Sequence, residues 1–132
     1  VRHMKGAKEK YVYAMGIGYS MVAIDYISRK CVRDGYRLIY TESLGELSEF
    51  EDNVGIMVSE SGETQLVIDE AEKCRQHGYF TIAFLRNENS RLRKMVDLPI
   101  IIPKEEWEDE LQINTFVSNT IIAFQLLFSQ DG

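Results

Sequence analysis

The stretch from Val54 to Gln76 sets the tightest limit on what this chain can fold into. A short apolar run, Val54-Gly-Ile-Met-Val58, stops abruptly at Ser59-Glu-Ser-Gly-Glu-Thr64, and a helical pattern from Gln65 to Gln76 begins at once. Strand, turn and helix in that order make one β-α unit. The turn has two readings. Ser59 and Ser61 can simply cap the helix. Alternatively, Gly62 lets the backbone approach a ligand, the helix N–H groups face an anion, and Ser59, Ser61 and Thr64 add hydroxyl donors.

The remaining segments repeat the unit. A first strand at Lys10–Met15 ends in Gly16-Ile-Gly18-Tyr-Ser20, a second small-residue turn, and leads into a helix to about Arg33. Ile24, Ile27 and Cys31 form that helix's apolar stripe, and Gly35 is placed to end it. Tyr36–Tyr40 reads as strand two. Ser43 with Glu46 forms a capping box for a short helix over about Leu44–Phe50. The helix after Thr64 buries Val67, Ala71 and Cys74, exposes Asp69, Glu70, Lys73 and Arg75, and closes at His77-Gly78. Tyr79–Leu85 is strand four, Ser90 caps a helical turn through Met95, and Leu98–Ile102 is strand five. Pro99 offers no ladder donor, which assigns strand five to a sheet edge. One long helix is expected from about Glu106 to Ser129. Its apolar residues fall on two faces, Ile113, Val117, Ile121 and Phe124 on one and Phe116, Thr120 and Leu127 on another, so a homodimer through this helix is expected.

Five strands alternating with helices predict an α/β fold, a three-layer α/β/α sandwich around a five-stranded parallel sheet of order 2-1-3-4-5. Ligands in such sheets bind beyond the strand C-termini where the order reverses, between strands one and three. The turn at Gly16–Ser20 and the loop at Ser59–Thr64 would face each other there. That coincidence favours a phosphate site over two ordinary connectors.

Composition narrows the function. The 132 residues suit one domain, assigned to 10–130, with 1–9 as a leader in which Val1–Met4 reads as a possible cloning remnant. The beginning so close to strand one suggests a domain excised from something longer. A net charge of −6 disfavours nucleic-acid contact by this domain. No apolar run is long enough to span a bilayer, no secretory leader is legible, and a cytoplasmic home is expected. Cys31 and Cys74 sit on apolar helical positions and read as buried hydrophobes. With His3 and His77 as the remaining soft ligands, neither a metal nor a cofactor is expected. His77 reads as a helix-end cation, Trp107 as a packing residue.

These residues resemble a known family. Gly-x-Gly-x-Ser after strand one, Ser-x-Ser-Gly-Glu-Thr after strand three, Ser90 before a short turn and Asp97 before strand five are similar to the SIS (sugar isomerase) domain, over about Tyr11–Ile102. The resemblance implies a flavodoxin-like SIS fold and a phosphosugar ligand. Its phosphate would lie on Ser59, Ser61 and Thr64 around Gly62, with Gly18 and Ser20 assisting from the other turn. Glu63 would complement the helix N-terminus, and Glu60 would face sugar hydroxyls or solvent.

Sugar isomerases of this superfamily need a base, and a carboxylate near the end of helix one supplies it in the isomerase domain of glucosamine-6-phosphate synthase. Here that alignment reaches Arg33, which cannot act as a base but can bind an anion. Arg33-x-Gly35 also resembles RpiR-type transcriptional regulators, in which a helix-turn-helix domain precedes an SIS domain that senses a sugar phosphate. The resemblance therefore implies a non-catalytic effector domain. The alternative is a sugar-phosphate isomerase whose base would be Glu42, Glu46 or Glu49, residues that otherwise read as solvated helix acids.

Overall fold

A computed structural model describes residues 10–39 and 52–129. The elements run β1 (Lys10–Gly16), α1 (Ser20–Arg33), β2 (Arg37–Leu38), β3 (Asp52–Val58), α2 (Gln65–Gln76), β4 (Phe80–Leu85), α3 (Arg91–Met95), β5 (Leu98–Ile101), α4 (Glu108–Leu111) and α5 (Phe116–Ser129). The five strands form one sheet in the order β2-β1-β3-β4-β5. Every pairing is parallel, as the sequence predicts. The Ser43–Glu46 capping box, its helix and Glu42, Glu46 and Glu49 lie outside the described residues.

Strand alternation sorts the core into two layers. Val12, Ile56, Val58, Ile82 and Phe84 face α1 and α5, where Ile27, Phe116 and Phe124 meet them. Tyr13, Met57, Ala83 and Leu85 face the other way, onto Val67, Ala71 and Cys74 of α2 and Leu92 of α3. The register keeps the parity across the sheet, pairing Gly16 with Val58 and Val58 with Phe84. Burial pushes the thiols of both Cys31 and Cys74 up to about 12, consistent with cysteines that serve as packing atoms.

At the strand N-termini, Asp97 accepts from the Thr81 amide at 2.8 Å and the Thr81 hydroxyl at 3.0 Å, while its own amide donates to that hydroxyl at 3.0 Å. This clasp joins β4 to β5 at the end away from the switch point. Glu70 departs from the sequence reading. It is buried rather than exposed, because the Tyr13 hydroxyl donates to it at 2.8 Å and Lys73 pairs with its other oxygen at 3.0 Å.

The single long C-terminal helix is corrected to two. Gln112 takes a left-handed conformation, φ 55°, and ends α4. Asn114 then accepts from the Phe116 amide at 2.7 Å and starts α5. The buried face of α5 is Phe116, Thr120 and Phe124 at a spacing of four, so the two faces assigned from sequence are regrouped. Ile113 lies before the helix. The surplus apolar surface on α5 is Ile122 and Leu126, 52% and 64% exposed.

Candidate functional site

The loop after β3 is built by its own side chains. The Ser59 Oγ accepts from the Gly62 amide at 3.1 Å and lies 3.1 Å from the Thr64 Oγ1. The Ser61 Oγ accepts from the Glu63 amide at 3.0 Å. Neither serine caps α2, and the Thr64 hydroxyl makes no cap bond to it either. The plain capping reading therefore fails. A hydroxyl that accepts from the backbone keeps its hydrogen, so Ser61 retains a donor and the Ser59–Thr64 pair retains one between them. These donors lie beside an α2 N-terminus that has no side-chain cap and carries the positive end of the helix dipole.

Gly62 is required twice over. Its φ of +67° is a left-handed conformation, and a Cβ there would collide with the Ser90 side chain. Ser90 is fully buried, accepts from the Arg93 amide at 3.3 Å and caps α3 as predicted. Glu63 bridges the same two loops, accepting from the Arg91 amide at 3.0 Å and from Arg91 Nε at 2.6 Å. It complements the start of α3, not of α2 as the sequence suggests. These bonds hold its carboxyl below the usual range, first among them the Arg91 side-chain bond.

The turn after β1 is simpler. Gly16 brings the strand end against α1, since a Cβ would stand 3.2 Å from that of Ser20. The amides of Ser20, Met21 and Val22 are taken by the carbonyls of Ile17, Gly18 and Tyr19. Here the Ser20 hydroxyl, rather than a free helix N-terminus, is what the turn can offer. Gly18 makes the bend at φ 65°, and Tyr19 stands 88% exposed.

Between the two segments lies a cavity of about 970 Å³. Ser20, Ser59, Glu60, Ser61 and Thr64 line it, with Arg86 and Lys104 as its cations. Ile17, Val22, Val58, Phe116 and Val117 make an apolar wall. Five of the eight residues assigned from sequence thus line one cavity, and Gly18 and Gly62 shape its two edges. Arg33 is not brought there. It ends the fourteen-residue α1 that Ser20 begins, so it sits about 20 Å down the helix axis.

Arg86 was missed. It follows β4 directly, its side chain is 10% exposed, and it reaches Glu60 at 3.2 Å, Glu108 at 2.9 Å and the Thr115 hydroxyl at 3.1 Å. From sequence it looks like a solvated loop charge. The available signal was its position at the C-terminal end of a central strand. Glu60 is consequently held, not free, and Asn114 also donates to it at 3.1 Å and 3.3 Å. Burial by itself would raise the Glu108 carboxyl. The Glu105 and Thr115 amides, the Thr115 hydroxyl and Arg86 outweigh that and bring it down to about 2.

No family model matches the chain. Over 102 residues it is 28% identical to an uncharacterised HTH-type transcriptional regulator of Clostridium perfringens, covering 74% of this chain and 37% of that protein. The chain thus spans little more than a third of its curated relative. Among solved structures it resembles an E. coli CFT073 protein in complex with a sugar phosphate, with a TM-score of 0.67 and 25% identity, covering 92% of this chain and 69% of that one. It also resembles the Vibrio vulnificus NanR protein complexed with ManNAc-6P, with a TM-score of 0.66 and 16% identity over 93% and 51%. A Bacteroides fragilis protein described provisionally as a phosphosugar isomerase involved in capsule formation superposes with a TM-score of 0.71 and 20% identity, over 92% and 68%. The regulator relative and these neighbours agree with the SIS and RpiR-type resemblance read from the sequence. No helix among the described residues is long and apolar enough to cross a membrane.

Proposed function

We propose that residues 10–130 form a phosphosugar-sensing SIS domain of a transcriptional regulator, with no catalysis of its own. The observation that carries this reading is the Ser59–Thr64 loop. Its hydroxyls are pre-positioned by the loop's own amides, they sit beside the side-chain-uncapped N-terminus of α2, and Ser20 faces them across the cavity. Ser59, Ser61 and Thr64 around Gly62 would hold the phosphate, with Gly18 and Ser20 completing the far side. The apolar wall would pack against the sugar's less polar face. Arg33 takes no part within one chain. Support from outside the site comes from the HTH-type relative and from neighbours whose structures hold sugar phosphates.

The sensing role implies two protomers whose relation changes with ligand, and α5 is the surface proposed for their contact. Phe116 and Phe124 are each 1% exposed and belong to the chain's own core, so Ile122 and Leu126 are the residues to test. Ile122→Glu with Leu126→Glu should give a monomer by sedimentation; a wild-type chain that already sediments as a monomer removes this surface.

The site reading is tested by calorimetry with ManNAc-6P, arabinose 5-phosphate and inorganic phosphate. Thr64→Val with Ser61→Ala should weaken sugar-phosphate binding by about tenfold or more, since each lost hydrogen bond to a charged group is worth roughly 1.5–3 kcal/mol. Unchanged affinity takes the loop out of the site. The isomerase reading draws on neighbours described as isomerases, the Bacteroides protein among them. Among the described residues that line the cavity Glu60 is the sole carboxylate, and it is bound by Arg86 and Asn114. Aldose–ketose turnover lost on Glu60→Gln would establish the enzyme instead.

A further inference from the structure

Glu60 makes two kinds of bond, and they differ in how easily they can be given up. Its partner Arg86 is fixed. The guanidinium is 10% exposed, and its other nitrogen is held by Glu108 at 2.9 Å and Thr115 at 3.1 Å. Its face also lies over the Phe116 ring, 5.7 Å from the centroid. Its partner Asn114 is exposed, and the amide straddles both carboxylate oxygens at 3.1 Å and 3.3 Å. Glu60 itself lines the cavity and keeps 43% of its side chain exposed. Asn114 has a second task, because its Oδ1 accepts the Phe116 amide at the first turn of α5. One side chain thus joins the cavity wall to the helix that carries Ile122 and Leu126.

We propose that Glu60 is the residue that reads the sugar portion of the ligand, exchanging the Asn114 amide for a ligand hydroxyl and so reporting occupancy to the start of α5. This rests on the phosphosugar reading of the site. Arg86 is its positioning residue. The ligand class is a phosphate ester carrying a hydrogen-bond donor within reach of Glu60; inorganic phosphate fills the loop but gives Glu60 nothing to bind. A carboxylate beside a phosphate also repels it, and for a sugar phosphate the hydroxyl contact offsets that repulsion.

The two ligand types therefore respond to Glu60→Ala with opposite signs. By calorimetry on the intact chain, ManNAc-6P or arabinose 5-phosphate should bind about tenfold more weakly while inorganic phosphate binds as well or more tightly. A parallel loss for both would make Glu60 a structural residue and overturn the proposal. Asn114→Ser supplies the second test, since serine keeps the helix cap but cannot reach Glu60. Removing the competitor should tighten sugar-phosphate binding several-fold and leave inorganic phosphate unchanged; weaker binding refutes the exchange. Hydrogen exchange at the Phe116–Asn119 amides should speed up several-fold with sugar phosphate and not with inorganic phosphate. Binding without that change defeats the reporting role and spares the site, whereas a wild-type chain that binds neither sugar phosphate nor inorganic phosphate brings down the site and this proposal together.

Discussion

The two segments that face each other across the cavity are made in opposite ways. The Ser59–Thr64 loop is buried at Ser59 and Gly62, tied by its own hydroxyls, packed on Ser90 and braced by Glu63 and Arg91. The Gly16–Ser20 turn has backbone bonds alone, and Ile17, Gly18 and Tyr19 are all exposed. One side is a finished cradle, and the other is a lip. An anion site needs its donors fixed before the ligand arrives, because ordering them afterwards lowers affinity. The side that accommodates ligands of different shape can be the loose one.

Gly62→Ala attacks the contrast most directly. The left-handed φ and the collision with Ser90 together should destabilise the chain by roughly 3 kcal/mol, read as a fall in denaturation midpoint. A smaller loss than for Gly18→Ala would reverse the assignment of cradle and lip. Ser59→Ala follows. Ser59 is 3% exposed and its oxygen holds the Gly62 amide, so the change should cost about 2 kcal/mol as well as weakening ligand binding. It is a poorer probe of the phosphate than Thr64→Val for that reason.

Acid should loosen the braced side next. The Glu63 and Glu108 carboxyls are both lowered in the folded chain, the latter from 4.5 to about 2. A group with a depressed folded value contributes its stability in full above its unfolded value, and loses it as pH falls through the folded one. Stability should therefore decline between about pH 4.5 and 2, and the Glu108→Gln variant, already weaker at neutral pH, should decline less steeply over that range. An equal slope in both would remove Glu108 from the bracing. Tyr19→Ala should do least, shifting stability by no more than about 0.5 kcal/mol, as for an exposed residue without partners to lose. A larger change would mean that the lip is also built.

Much of this was legible because parity and punctuation are local. The β-α repeat implied the sheet order, Pro99 marked the edge, and Gly62 with the three hydroxyls marked the loop. What escaped depended on contacts far apart in the chain. Arg86 reads as a loop charge until Glu60, Glu108 and Thr115 converge on it from three other segments. Glu70 looks like a surface acid until Tyr13, on the strand beneath, donates to it. The break at residues 112–115 has a local signal in Asn114 before Phe116, but the apolar pattern on either side masks it. Arg33 failed for a simpler reason. A residue near the end of a helix cannot share a site with the residue at its beginning unless a second chain brings the two ends together.

The sheet's margins carry a consequence for how this chain meets others. At one edge Pro99 deprives β5 of a backbone donor, and at the other β2 extends over just Arg37 and Leu38 among the described residues. Neither rim presents a long ladder of unpaired groups for a foreign strand to extend. Self-association by strand addition, the usual route from a parallel sheet to a fibre, is discouraged at both ends. Encounters between copies are diverted to the helical faces, where contacts are made by side chains and can be undone.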